Sequence, residues 1–159
     1  MNVVLVEPEI PQNTGNIART CAALGAELHL VHPLGFEVSE RSVRRAGLDY
    51  WHLLTVHEYA DWDDFVHRRD SHELVLFTSR GTTVYTDVKY GENSYLVFGC
   101  ESRGLSEQIL ATDRSVSARI PTVTAARCLN LSNAVAVAAY EAARQSGFRD
   151  LSLAPASVD

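Results

Sequence analysis

The stretch Asn2-Val3-Val4-Leu5-Val6-Glu7-Pro8-Glu9-Ile10-Pro11-Gln12-Asn13-Thr14-Gly15 decides the fold class. Residues 2–6 are a continuous apolar run, bounded by Pro8 and Pro11. A run of this kind without polar alternation reads as a strand buried on both faces, the situation of a parallel sheet. Asn13 or Thr14 then offers a cap for a helix in which Ile17, Cys21 and Leu24 recur at helical spacing, and Gly25 supplies its stop.

The alternation continues along the chain. Strands are predicted at 28–31, 53–56, 74–78, 95–99 and 118–120. Helices are predicted at 39–46, which is short and basic, at 62–69 with an acidic first turn, at 106–111, and at 130–146, where Gly147 ends the pattern. The strands at 74–78 and 95–99 are separated by a Gly- and Thr-rich connection. Strand–helix alternation means an α/β fold with a mainly parallel sheet flanked by helices. A single domain over residues 1–150 accounts for it, with 151–159 as a frayed tail; no repeat, linker or low-complexity block interrupts it.

Composition bounds the class. At 159 residues, 46% hydrophobic and 21% charged, the chain can bury a real core. No apolar run approaches the roughly 18 residues of a membrane span. The N-terminus has no basic region ahead of its apolar run, so it reads as a strand and not as a signal peptide. Cys21, Cys100 and Cys128 are odd in number and widely spaced, which fits a reducing cytoplasm. Without C-x-x-C or paired His spacing, no metal site is expected.

Net charge is −6, which at face value argues against a nucleic-acid partner. The charges are segregated, however: acids cluster from Glu58 to Glu73, while Arg41, Arg44 and Arg45 sit together. Thirteen of the fourteen basic residues are Arg, with Lys89 the exception. Arg suits phosphate recognition because its planar fork bonds two oxygens at once, although a GC-rich genome produces the same bias.

In parallel sheets ligands bind beyond the carboxyl ends of the strands. Three loops there carry the unusual residues. The first runs from Pro8 to Arg19, with two prolines fixing a turn and Gly15 allowing close backbone approach. The second is Phe98-Gly99-Cys100-Glu101-Ser102-Arg103-Gly104-Leu105. The third leads from Arg119-Ile120-Pro121 into Cys128-Leu129-Asn130-Leu131-Ser132-Asn133-Ala134. Two Asn and a Ser at a helix start exceed what capping needs, so that terminus reads as facing a ligand. Taken one at a time, each has a plainer account: a loop and cap with a solvated Arg for the first, an ordinary turn with an exposed ion pair for the second, and a generously capped helix for the third. The chain lacks G-x-x-x-x-G-K-[ST], a G-x-G-x-x-G after the first strand, and G-x-S-x-G. P-loop, conventional dinucleotide or Rossmann methyltransferase, and α/β-hydrolase chemistry are thereby disfavoured.

Together the three loops resemble the motifs of the SPOUT class of RNA methyltransferases, and within it the minimal TrmL (YibK-like) tRNA 2′-O-methyltransferases. The matching residues are Asn13-x-Gly15-x-x-x-Arg19, Phe98-Gly99-x-Glu101-x-Arg103-Gly104-Leu105, and Ile120-Pro121 with Leu129-Asn130-Leu131-Ser132-Asn133-Ala134. Pro33-Leu34-Gly35-Phe36 and Arg44-Arg45-Ala46-Gly47-Leu48-Asp49-Tyr50 also resemble this subfamily. The resemblance spans nearly the whole chain. It implies a C-terminal trefoil knot, which general topology rules would argue against. It also implies an S-adenosylmethionine pocket, and a homodimer whose active sites are each completed across the interface.

Position by position, the resemblance implies cofactor contacts at Phe77, Gly99, Ile120 and Cys128. Phe77 stands where a smaller aliphatic residue is common, and Cys128 where relatives often have Ser. It implies chemistry at Asn13, Arg19, Glu101 and Asn130. Arg41, Arg44, Arg45, Arg103 and Arg127 are the candidates for RNA backbone contacts. The implied substrate is a tRNA anticodon stem-loop, with methylation of the wobble cytidine or modified uridine of leucine isoacceptors and S-adenosylhomocysteine as product. No metal ion, membrane or DNA partner is expected, and the location is cytoplasmic. The competing expectations are a SPOUT enzyme acting on another RNA, such as rRNA, and a non-catalytic RNA-binding module of the same fold.

Overall fold

A computed structural model describes residues 1–36, 54–126 and 128–153. The predicted basic helix at 39–46, with Arg41, Arg44 and Arg45, lies outside the described residues, as do Arg127 and the end of the tail.

The first strand, β1 (Asn2–Val6), explains its own composition. Val3 and Leu5 enter one core cluster, and Val4 and Val6 the other. Side chains alternate across a strand, so a strand covered on both faces is apolar at its buried positions, Val3 to Val6, while Asn2 at its half-buried start stays polar. Helix α1 (Pro11–Leu24) follows, then β2 (Glu27–Val31), β3 (Val56–Tyr59), α2 (Trp62–Arg68) and β4 (Leu74–Phe77). After these come β5 (Thr83–Val84) with a 3₁₀ turn at Tyr85–Asp87, β6 (Tyr95–Phe98), α3 (Glu107–Leu110), β7 (Ser115–Arg119) and α4 (Leu131–Gln145).

The strands form one seven-stranded sheet in the order β3-β2-β1-β6-β4-β7-β5, and every pairing is parallel. Helices α1 and α4 pack together over one face, where Ile17, Ala18 and Cys21 meet Val135, Ala138 and Ala139. Phe65 of α2 and Ile109 of α3 cover the other face with Tyr59 and Tyr95. Each fully buried Leu or Val side chain contributes roughly 1.5–3 kcal/mol, so the central strands dominate stability.

Three elements are shifted by more than one residue from the sequence expectation and a fourth, β5, was not expected, each for a physical reason. Helix α1 begins at Pro11, so Asn13 and Thr14 lie inside it and neither caps it. Proline at the first helical position is preset in φ and loses only an N–H that has no partner there. The cap is Ile10, with no side-chain bond of its own. Strand β3 starts at Val56, where 53–56 was expected, because it pairs from Leu28↔Val56 to Val31↔Tyr59. At this sheet edge His57 and Glu58 are tolerated although they break the apolar pattern. Strand β7 begins earlier, at Ser115, since Leu74↔Ser115 and Leu76↔Ser117 continue the ladder through serines. The Gly- and Thr-rich connection holds β5, paired to β7 through Thr83↔Ala118 and Val84↔Arg119. Gly25 ends α1 at φ +62 as expected, with the Ala26 N–H donating to the Cys21 carbonyl at 2.9 Å.

Candidate active site

The carboxyl ends of β4, β6 and β7 open into a cavity of about 820 Å³, closed on its other sides by the starts of α1 and α4. Its apolar walls include Phe77, Phe98, Leu105, Ile120 and Leu129. The rings of Phe77 and Phe98, register neighbours on β4 and β6, stack at 4.6 Å with an interplanar angle of 10°.

A chain of hydrogen bonds ties the three sequence loops together at this cavity. The Glu101 carboxylate accepts from the Glu9 N–H at 2.8 Å, the Ile10 N–H at 3.3 Å and Asn13 Nδ2 at 2.9 Å. Asn13 Oδ1 then accepts from Asn130 Nδ2 at 3.0 Å. Asn130 Oδ1 accepts from the Ser132 N–H at 2.9 Å and Ser132 Oγ at 2.7 Å. An ionised carboxylate can only accept, so Glu101 sets the direction of every amide along this chain. Glu101 therefore supplies from a distance the acceptor that Asn13 and Thr14 do not supply as caps, and a carboxylate beside a helix N-terminus is favoured by the dipole.

The second loop is locked from both ends. The Glu9 carboxylate accepts from the Ser102 N–H at 3.0 Å and Ser102 Oγ at 2.6 Å, and Arg103 donates to Glu7 at 3.1 Å. Gly104 takes φ +70, while a Cβ on Gly99 would lie 2.1 Å from the Gly104 carbonyl carbon. The loop thus folds back on itself at a point where only glycine fits. Cys100 is buried beside it, with Sγ 3.8 Å from Ser102 Oγ and from the Gly104 carbonyl oxygen.

Of the residues expected at a site, the structure brings Asn13, Glu101, Asn130, Phe77, Gly99, Ile120, Cys128 and Arg103 to this one cavity. Cys128 is exposed there. Arg19 is not among the lining residues: it is exposed on α1, six residues beyond Asn13 and about 240° around the helix from it. Asn133 is likewise exposed and outside the lining. The cavity also takes in Thr78, Ser79 and Arg80, which were not expected at the site, and Arg119, which opens the third loop but was given no role there. The signal for Arg80 was slight, an Arg-Gly pair just after a buried strand.

Elsewhere, Glu27, His29 and His57 bring one potential metal-ligand atom each within 4.8 Å of one another. His29 Nε2 already donates to Asn2 Oδ1 at 3.2 Å, and the Tyr59 hydroxyl donates to His29 Nδ1 at 2.9 Å. Burial pushes His29 down to about 4, and the His57 imidazole stacked 4.6 Å away adds to this. A neutral imidazole with both nitrogens engaged suits a structural role better than ligation.

An all-parallel α/β domain with its polar network and cavity at the carboxyl strand ends is the build of a ligand-binding enzyme. The model of the SpoU rRNA Methylase family matches residues 1–140, and the chain belongs to that family. It is 49% identical over 149 residues to the tRNA (cytidine(34)-2′-O)-methyltransferase of Saccharophagus degradans, covering 92% of this chain and 96% of that one. A solved structure from work on 2-OH methylation of C/U34 on tRNA is 45% identical with a TM-score of 0.87, covering 93% of this chain and 97% of the other. The AdoMet-bound rRNA methyltransferase of Sinorhizobium meliloti is 28% identical with a TM-score of 0.80, over 90% of this chain and 55% of that one.

Proposed function

We propose that the protein is an S-adenosylmethionine-dependent tRNA 2′-O-methyltransferase acting on the wobble nucleotide, cytidine 34 or a modified uridine 34, of leucine isoacceptors. The observation that carries this reading is the Glu101–Asn13–Asn130 chain, which gathers three separate loops at one cavity. The names and identities of the relatives support the substrate, and the AdoMet-bound neighbour supports the cofactor.

The cavity fits such a cofactor by its chemistry. Stacked Phe77 and Phe98, with Ile120, Leu105 and Leu129, offer an apolar surface for a nucleoside. Gly104 leaves open space where any side chain would project. When bound, S-adenosylmethionine supplies an electrophilic methyl group on a sulfonium. The protein's part is alignment: an in-line displacement gains roughly 7–11 kcal/mol from positioning in favourable cases. Glu101 holds the start of α1, α1 presents Asn13, and Asn13 fixes the Asn130 amide at the cavity wall. Asn130 and Asn13 orient the ribose, and Cys128 contacts the cofactor.

Arg19 completes the reading through a homodimer. It stabilises negative charge developing on the attacking 2′-oxygen in the cavity of the second subunit. An arginine side chain does not deprotonate in proteins, so the proton leaves to phosphate or water and not to Arg19. The exposed Val137 and Tyr140 of α4 supply an apolar face for that dimer. Residues 1–150 act as one domain, with the chain after β7 forming the trefoil knot around the cavity. Among the described residues no helix is long and apolar enough to cross a membrane. The enzyme of this reading is cytoplasmic and has neither a membrane nor a DNA partner. The reaction requires no metal, since the leaving thioether is neutral.

Incubation of total tRNA with methyl-labelled cofactor, followed by nucleoside mapping, tests the activity. Label at ribose 34 of leucine tRNAs is expected, and label confined to rRNA would overturn the substrate. Mixing Arg19→Ala with Asn130→Ala subunits tests the shared site. Each variant alone should be at least 100-fold impaired, while the mixture should regain up to a quarter of wild-type activity through heterodimers. No recovery would place Arg19 and Asn130 in the same cavity or remove Arg19 from the chemistry.

A further inference from the structure

We propose that Arg80 and Arg119, with Arg103 beside them, form a phosphate-docking rim that grips the RNA backbone next to the nucleotide entering the cavity. The proposal rests on the RNA methyltransferase reading. Among the described residues, three arginines and one acidic residue, Glu101, line the cavity of a chain whose net charge is −6. That carboxylate is already engaged by two backbone N–H groups and Asn13. Glu107 and Glu7 balance Arg80 and Arg103 at the mouth, which leaves Arg119 as the lining cation that makes no ion pair with a described residue.

Arg80 and Arg119 are built into adjacent backbone. Arg80 stands in the turn after β4, where the Thr78 N–H donates to the Ala118 carbonyl at 3.0 Å and the Gly81 N–H to the Thr78 carbonyl at 3.1 Å. The Arg80 N–H donates to Thr78 Oγ1 at 3.3 Å. A Cβ on Gly81 would lie 2.3 Å from the Ala118 carbonyl carbon, so the turn is pressed directly onto β7 at the residue before Arg119. Arg119 is itself held by its register opposite Val84. The backbone that carries both side chains is therefore fixed, so no loop has to be ordered when they bind a ligand.

Two of the three arginines hold exchangeable partners. Arg80, with 66% of its side chain exposed, pairs with the more exposed Glu107 at 2.6 Å, and Arg103, 72% exposed, pairs with Glu7 at 3.1 Å. Exposed pairs of this kind contribute little to stability, whereas an Arg–phosphate fork is charge-assisted and bidentate. Arg119 makes no ion pair with any described residue. Glu107 and Glu7 occupy in the free protein the places that phosphates take in the complex. They return to water when RNA docks.

The test uses the full-length enzyme with the RNA that the wild type methylates and, separately, S-adenosylhomocysteine. RNA affinity is measured across a potassium chloride series for Arg80→Gln, Arg119→Gln, the double variant and Glu107→Gln; cofactor-product affinity is measured by calorimetry. Each Arg variant should bind RNA about 5–10-fold more weakly, and the slope of log affinity against log salt should fall by about 1 per arginine removed. Glu107→Gln, which frees Arg80, should bind RNA about 2–3-fold more tightly at low salt, with S-adenosylhomocysteine affinity unchanged in all. An unchanged affinity and slope in the double variant would overturn the rim. So would a loss of S-adenosylhomocysteine affinity with RNA binding intact, which would place the arginines on the cofactor carboxylate. A wild type that methylates rRNA overturns the tRNA reading alone, and the slopes on that rRNA then decide the rim; a wild type that binds no RNA overturns both.

Discussion

Two polar networks in this molecule can be set side by side, one buried in the sheet face and one open to a cavity. On the face of the sheet opposite α1 and α4, His29 bonds Asn2 and Tyr59, and the rings of Phe65 and Tyr95 pack against it edge-on. At the carboxyl ends of the strands, Glu101, Asn13, Asn130 and Ser132 bond one another just as completely, but along the wall of a cavity. The first network joins β1, β2 and β3. The second joins the start of α1, the loop after β6 and the start of α4. Satisfied hydrogen bonds do not separate a structural network from a functional one. Bordering a ligand-sized cavity does.

The sharpest way to break this contrast is at the loop on the cavity side. Gly99→Ala places a Cβ against the Gly104 backbone, where nothing flexible can yield. Methyl transfer should fall at least 100-fold and S-adenosylhomocysteine binding should weaken in parallel. Melting should move by less, since overpacking costs about 1–3 kcal/mol. Full activity in Gly99→Ala would show that the loop has slack the structure denies it.

Acid should act on the other network. The pKa of His29 is held at about 4 in the fold, well below the usual histidine value of 6.5. The unfolded chain therefore takes up the proton first as pH falls. The contribution of His29 is complete above about pH 6.5 and is lost progressively down to about 4. At about 1.4 kcal/mol per pKa unit, the loss is about 3 kcal/mol. In thermal melts from pH 7.5 to 4, His29→Gln, which keeps a polar side chain without titrating, should show a shallower decline. Parallel curves would remove His29 as the acid-sensitive group.

Glu101→Gln sharpens the comparison by touching stability and function together. A neutral amide in place of the carboxylate weakens charge-assisted bonds to Glu9 and Ile10, at a cost of about 1.5–3 kcal/mol. Its amide can also turn a donor toward Asn13 and reverse the chain. A loss in kcat beyond what the melting shift accounts for is expected; melting loss without a kcat effect would make this network as purely structural as the other.

The smallest effect concerns Thr14. Its Oγ1 is buried and has no hydrogen-bond partner among the described residues, so Thr14→Val, close in shape, should be neutral or stabilising by up to about 1 kcal/mol. A clear destabilisation would show that the hydroxyl has a partner in the working enzyme.

Legibility followed the range of the interactions. Asn2–Val6 could be read as a doubly buried strand because composition and burial are both local there. Gly25 and Gly147 could be read as stops because a positive φ is a one-residue demand. Asn13 was misread as a cap because its true partner, Glu101, is 88 residues away in the chain. β5 escaped because a two-residue strand has no periodicity of its own and exists only through β7. Arg80 gave almost no signal, since its place at the cavity depends on Gly81 packing against Ala118.

By itself, the sequence determined the α/β class, most of the helices and strands, and the three loops that carry polar residues out of pattern. Periodicity and turn chemistry act within a few residues, and that is why these could be read directly. Only the tertiary structure decided that the loops converge on one cavity, that Glu101 orders the amides along it, and that Arg80 and Arg119 line it while Arg19 does not. Those facts depend on strand order and register, which bring together residues far apart in the chain and which no local pattern encodes.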